Sequence, residues 1–208
     1  MCDVPGRSGK PKKGKAMSGA TQVSPKRKSH IRSNPSKPKK GEAMSEATQV
    51  NPTLLAEIVE KCMLAGKPLL IEGSPGVGKT HIVSAAAKKA GYEICIEYTS
   101  MSDPTDPKGL PFASADHTKA ELLPIGTMAK IFDATTPMLL FLDDLGNAIP
   151  AVQTAYMHNI YGRKIGDRQI PDCVSVMAAT NRISDKSHVH ALGEALKSRF
   201  HSIVELVT

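Results

Sequence analysis

The chain has 208 residues, enough for one domain of ordinary size plus an appendage, and no apolar run long enough to span a bilayer, so a soluble protein is expected. Hydrophobic residues make up 40% of it but aromatics only 4%, with no Trp, so the core must come from Leu, Ile, Val, Ala and Met, which suits a layered α/β fold. The net charge of +7 is uneven: residues 1–53 hold 12 Lys/Arg against three acids, whereas residues 54–208 hold 15 against 17, so a basic arm precedes a near-neutral body.

The first 50 residues are rich in Lys, Ser, Pro and Gly and nearly free of large apolar side chains, a composition that cannot offset chain entropy by burial. A disordered basic tail over residues 1–50 is expected. It carries a duplication of period 27, in which Lys10 to Pro25 recurs as Lys37 to Pro52 with 13 of 16 positions identical. Two such polar units do not make a solenoid and read as a duplicated tail segment. The tail also lacks the roughly 7 to 15 apolar residues of a signal peptide. Four cysteines, Cys2, Cys62, Cys95 and Cys173, lie far apart without a C-x-x-C pair, which points to reduced thiols in a reducing compartment, the cytoplasm.

The body is expected over residues 51–208. Leu54, Leu55, Ile58, Val59, Cys62 and Met63 have the spacing of an amphipathic helix that Gly66 closes. Strands are expected at Leu69 to Ile71, Glu93 to Tyr98, Met138 to Leu142, Val174 to Ala178 and Ser202 to Leu206. Helices are expected at Thr80 to Ala90, Thr127 to Asp133, Ala151 to Tyr161 and Ala191 to Ser198. Met101 to Gly126, with four prolines, reads as a surface loop or small insertion, and Gly162 to Pro171 as a hairpin. Five strands separated by helices imply a parallel five-stranded sheet covered on both faces, a three-layer α/β core.

Two motifs carry chemistry. Gly73, Ser74, Pro75, Gly76, Val77, Gly78, Lys79 and Thr80 match G-x-x-x-x-G-K-[ST] between a strand and a helix. Such a loop must turn tightly to aim N–H groups at phosphate oxygens, at a helix N-terminus that already favours anions. Lys79 then reaches the β- and γ-phosphates of ATP, and the Thr80 hydroxyl ligates Mg²⁺. Met138 to Asp144 is an apolar strand ending in two carboxylates, where an open α/β sheet presents ligand groups. Asp143 is expected in the Mg²⁺ shell beside Thr80, and Asp144 as the group that orients or deprotonates the attacking water.

With these motifs, with Pro150-Ala-Val-Gln153, Ala178-Ala-Thr-Asn-Arg182 and Leu196-Lys-Ser-Arg-Phe200, and with the Asp103 to Gly109 loop, the chain resembles the MoxR branch of AAA+ ATPases over about residues 52–208. The resemblance implies a P-loop NTPase fold, with Asn181 as the sensor-1 residue that helps place the lytic water and Arg199 as an arginine finger acting on a neighbour's ATP. It also implies assembly into a ring, homo-oligomeric or with a related ATPase, a client protein that is remodelled or matured, and a von Willebrand factor A-domain partner. The chain departs from the family in having Asp143-Asp144 where Asp-Glu is usual. It ends at Thr208, so that no helical lid with a sensor-2 arginine is expected.

His188 and His190, with His201 nearby, lack an acidic or Cys partner at ligand spacing and read as solvated loop histidines. Arg163, Lys164 and Arg168 in the expected hairpin either contact a partner or form a solvated turn. The tail's basic clusters could neutralise nucleic-acid phosphates without sequence preference or could serve as a flexible arm, and no interleaved aromatic residue supports base stacking. Beside the remodelling ATPase stand two alternatives: a weakly catalytic ATP-binding module tethered to nucleic acid, and a truncated regulator of a full-length ring.

Overall fold

Residues 47–185 and 189–207 are described here from a computed structural model. The expected tail disorder and the first repeat copy fall on residues outside these, as does His188. Thr48–Val50 form β1, and Asn51 then caps α1 (Pro52–Leu64): its side-chain oxygen accepts the Leu54 N–H at 2.8 Å, with Pro52 in the first turn, where no N–H is missed. The helix ends at Gly66 (φ +61°), whose N–H returns to the Met63 carbonyl at 3.0 Å while that of Lys67 returns to Cys62 at 2.9 Å. β2 (Leu69–Gly73) runs into the Gly-rich loop and α2 (Lys79–Lys89), and β3 (Glu93–Tyr98) follows. Next come β4 (Leu110–Ala113), β5 (Ala120–Leu123), α3 (Gly126–Phe132), β6 (Met138–Asp143) and α4 (Pro150–Ile160). The chain closes with β7 (Lys164–Ile165), β8 (Arg168–Gln169), β9 (Val174–Thr180), α5 (Glu194–Lys197) and β10 (Ser202–Leu206). No helix among the described residues is long and apolar enough to cross a membrane.

Six strands make one parallel sheet in the order β1-β10-β2-β9-β6-β3. Every residue of β6 and β9 is buried, as befits largely apolar strands covered on both faces, and the buried Ser175 hydroxyl is satisfied by donating to the Met63 carbonyl at 2.8 Å. Side-chain alternation divides the core in two. Leu69, Ile71, Leu139, Phe141, Met177 and Ala179 pack with Leu55, Val59 and Met63 of α1 and Val83 and Ala87 of α2. Leu70, Leu140, Leu142, Val176 and Ala178 pack with Met128 and Ile131 of α3 and Val152, Tyr156 and Ile160 of α4. Each fully buried Leu or Ile contributes roughly 1.5–3 kcal/mol, and the two clusters pin the sheet between its helix layers, which fixes where its carboxyl edge lies.

Three expectations need correction. The sheet has six strands, not five: Thr48–Val50 pairs with Val204–Leu206, ahead of the expected body start at Asn51. Only Val50 of the three is buried, so the strand was hidden in the polar repeat. The stretch from Met101 to Gly126 contains the antiparallel β4–β5 hairpin, closed by Ser114 and Lys119 and tolerating Pro111 because it stands apart from the main sheet. Its turn is bound by Asp116, which accepts from Ser114 Oγ at 2.5 Å and from Thr118 Oγ1 at 2.8 Å. The helix expected from Ala191 is only α5, because Gly193 stands at its cap. The expected hairpin at Gly162 to Pro171 is present as β7–β8.

Candidate nucleotide site

The loop Gly73 to Thr80 lies at the carboxyl end of β2 and opens α2. Gly76 (φ +75°) and Gly78 (φ +96°) take left-handed backbone that other residues adopt only with strain, which lets the chain reverse and present its N–H groups. Lys79 folds back under the loop and is buried: its ammonium donates to the carbonyls of Gly73 at 2.9 Å and Ser74 at 3.1 Å and to Asn181 Oδ1 at 2.8 Å. Burial holds the Lys79 ammonium below the usual lysine range; Asp144, Asp143 and Asp185 oppose that shift and Arg182 adds to it.

Thr80 Oγ1 donates to Asp143 Oδ2 at 2.7 Å, so the last residue of the loop and the end of β6 meet as a pair of hard oxygen groups. Asp143 is itself fixed, since Thr99 Oγ1 donates to its carbonyl at 2.8 Å and the Asp144 N–H to its Oδ1 at 3.0 Å. Asp144 turns the chain in the left-handed region (φ +55°), and its Oδ1 accepts from Asn181 Nδ2 at 3.2 Å. Asn181 Nδ2 also donates to Asn147 Oδ1 at 3.2 Å. Because a lysine can only donate, the Asn181 oxygen must face Lys79, which leaves its amide hydrogens for Asp144. Burial first, and then the charge of Asp143, push the Asp144 carboxyl above its usual range, against the pull of Lys79 and Asn181.

Thus Lys79, Thr80, Asp143, Asp144 and Asn181 converge on one edge of the sheet. The arrangement fits a Mg-nucleotide: a cradle of N–H groups with a cation for phosphate, and the Thr80–Asp143 oxygen pair for a hard divalent ion that keeps several waters. Arg199 is not among them. It follows α5 and precedes Ser202, which pairs with Leu69 at the opposite end of β2 from the loop, about 13 Å away along the strand. There its guanidinium stacks over the Tyr161 ring, 4.6 Å from the centroid, beside a pocket of about 300 Å³ that Lys67, Arg163 and His201 also line.

The larger cavity, about 1250 Å³, adjoins the site at Thr180, Asn181 and Arg182 but not at residues 74–80. Sequence reasoning missed Thr99, Asn147 and Arg182, which brace this edge; of these only Arg182 lies in one of the motifs, Ala178-Ala-Thr-Asn-Arg182. Of the basic hairpin residues, Arg163 is structural, donating to the carbonyls of Pro171 and Val174 at 2.8 Å each. Arg168 lies over the Phe132 ring at 5.1 Å.

The profile of the ATPase family associated with various cellular activities (AAA) matches residues 69–207. Among solved structures, a candidate ATPase from Cytophaga hutchinsonii is 20% identical, with a TM-score of 0.52 over 75% of this chain and 46% of its own. A variant of Thermotoga maritima RuvB is 21% identical, with a TM-score of 0.50 over 75% of this chain and 44% of its own. NtrX from Brucella abortus in complex with ADP is 14% identical, with a TM-score of 0.50 over 74% of this chain and 34% of its own. The chain therefore spans less than half the length of these proteins, and at such identities the likeness speaks for the fold. With a family match covering the sheet from β2 to β10, a phosphate-loop motif and an α/β core, the chain belongs to the AAA family of ATPases.

Proposed function

We propose that this chain binds Mg-ATP at Gly73 to Thr80 and hydrolyses it as a MoxR-type AAA+ ATPase. The observation that supports the reading is the chain of contacts Lys79–Asn181–Asp144 beside the Thr80–Asp143 pair: an ammonium, two hard oxygen groups and a further carboxylate share one edge of the sheet. Bound Mg²⁺ would neutralise charge on the β- and γ-phosphoryl oxygens. Thr80 and Asp143 hold that ion's place, and Lys79 turns its ammonium from the loop carbonyls to phosphate oxygens. Asp144 orients the attacking water and takes its proton, a task that a carboxyl pushed upward performs better than an ordinary aspartate. Asn181, anchored on Lys79, holds Asp144 and the water in line. Arg199, at the far edge, acts on the nucleotide of a neighbouring subunit.

The resemblance to MoxR-type proteins further supports a ring or mixed assembly, a von Willebrand factor A-domain partner and a protein client that turnover remodels. In the alternative reading, the excess of basic residues over 1–46 attracts nucleic acid through its net charge. Phosphate release measured with and without Mg²⁺, and with and without DNA, tests the reading. Mg-dependent turnover indifferent to DNA supports it; nucleotide binding without turnover, together with salt-sensitive DNA binding, favours a tethered, weakly catalytic module. A third reading, regulation of a related ATPase, predicts instead that adding the chain alters the turnover of that ATPase.

A further inference from the structure

Arg182, the residue after Asn181, is spread over three groups. One guanidinium nitrogen donates to Ser74 Oγ in the phosphate loop, another to Glu205 Oε1 at 2.7 Å, and Nε faces Asp185 Oδ2 at 3.4 Å. Glu205 belongs to β10, whose Leu206 stands in register with Gly73; a Cβ on that glycine would meet Leu206 Cβ and carbonyl oxygen at 3.3 Å. The loop thus begins where β10 presses on β2, and Arg182 bridges the two just beyond.

Charge explains why a fork is needed. Glu205 lies directly opposite Glu72 in the parallel register, and like charges so placed repel. Each has its own cation: Arg182 for Glu205, and Lys197 of α5 for Glu72 at 3.5 Å. Two carboxylates, Glu205 and Asp185, face the guanidinium and offset its charge, so what it delivers to the loop is direction. A planar fork can hold Glu205 with one nitrogen and Ser74 with another; a lysine, with one compact ammonium, cannot span both. Ser74 precedes Pro75, whose φ is fixed, so anchoring Ser74 sets the course of the backbone through Gly76.

We infer that Arg182 is a positioning residue for the phosphate loop: held by its hydrogen bond to Glu205, with the Asp185 carboxylate beside it, it fixes Ser74 so that the loop is shaped in advance for the phosphates. The inference rests on the nucleotide reading for its purpose, but its geometry can be tested apart from nucleotide. Amide hydrogen exchange is followed in the full chain without nucleotide. Arg182→Ala and Arg182→Lys should speed exchange over residues 73–79 and 202–206 while leaving α1 and β3 as in the parent; Ser74→Ala, a small change at a half-buried position, should loosen the loop but not β10. Unchanged loop exchange in Arg182→Ala, or a uniform rise across the whole fold, overturns the inference.

Affinity for Mg-ATP, read with a fluorescent ATP analogue, gives the second measure. Arg182→Ala and Ser74→Ala should each weaken binding, the former about ten-fold, and the double variant should be no weaker than Arg182→Ala alone. Additive losses in the double variant overturn the inference, because two residues acting through one contact cannot add. Should the parent fail to bind Mg-ATP while Arg182→Ala still loosens the loop, the bridge stands and the nucleotide reading falls.

Discussion

At the carboxyl ends of its strands the sheet carries a cross-bonded group: Lys79, Thr80, Asp143, Asp144 and Asn181 each touch another member at 3.2 Å or less. At the amino ends, Arg199 has the face of Tyr161, and among the described residues no hydrogen bond or ion pair holds its guanidinium. Tyr161 is itself 69% exposed. The first edge is assembled by its own chain, with every charge set against a partner. The second sets a half-buried cation on an exposed aromatic ring. The difference separates two halves of one proposed reaction: ground-state binding and water activation within the chain, and charge stabilisation by a neighbour.

The sharpest test of the first edge is Asp144→Asn. Turnover should fall by about 10²–10⁴-fold, the usual worth of a positioned general base, while Mg-ATP binding persists. Phosphate release as fast as the parent's would remove Asp144 from the reaction. Asp144→Glu, with the longer carboxylate, should raise turnover. The pH dependence has a definite sign. The ionised form is the base, and its pKa is raised by burial and by Asp143, so turnover should fall on acidification at a higher pH than an ordinary aspartate would give. For stability the direction is opposite. A carboxyl whose folded pKa exceeds the unfolded value contributes most in its protonated form, and that contribution is lost as pH rises through the folded value. Asp144→Asn should therefore be slightly more resistant to heat than the parent at neutral pH, as seen in thermal melts.

Lys79→Ala should weaken Mg-ATP binding by about 100-fold, the upper range for hydrogen bonds to a charged group, when measured by calorimetry. The variant should also melt at a lower temperature than the parent, because the buried Gly73 carbonyl and Asn181 Oδ1 both lose a donor. Equal affinity in parent and variant would break the comparison at its stronger end.

How much of this was legible in the sequence follows from the range of the forces involved. The phosphate loop and the Asp143–Asp144 strand end were readable because local backbone needs, glycine at positive φ and an apolar run closing on carboxylates, are written in consecutive residues. The other five strands of the main sheet were readable for the same reason. Thr48–Val50 was not, since its pairing with β10 joins residues 156 positions apart and only Val50 of the three is buried. Arg182 lay inside a motif singled out for Asn181, yet its contacts with Ser74 and Glu205 depend on how β2, β9 and β10 lie side by side, which no periodicity encodes. The stack of Arg199 on Tyr161 links two segments that the sequence keeps 38 positions apart.

For the second edge, Arg199→Ala should leave nucleotide affinity within about two-fold, because the missing charge acts mainly in the transition state. Turnover per subunit should rise with protein concentration in the parent, and the variant should lose that rise. The loss expected at high concentration is about ten-fold, below the 10³-fold or more of a fully docked arginine finger, since only the paired fraction of subunits benefits. Concentration-independent turnover that survives the substitution would show a monomeric ATPase and dissolve the distinction between the two edges.

Tyr161 sharpens the same contrast with the smallest effect. Its ring holds the Arg199 guanidinium at 4.6 Å, and a cation over an exposed aromatic face is worth about 0.5–1 kcal/mol. Removing the ring frees the arginine to sample other rotamers without removing its charge. Tyr161→Ala should therefore lower the concentration-dependent part of turnover by only about two- to five-fold, the equivalent of that energy. Tyr161→Phe should restore it, because the face of the ring, not its hydroxyl, makes the contact. Nucleotide affinity should not change in either variant, since Tyr161 lies at the amino end of the sheet with Arg199. An alanine variant that loses as much as Arg199→Ala would mean that Tyr161 meets the neighbour directly. An alanine variant indistinguishable from the parent would mean that Arg199 is oriented by the neighbour's nucleotide alone, with the ring a resting place and not a support.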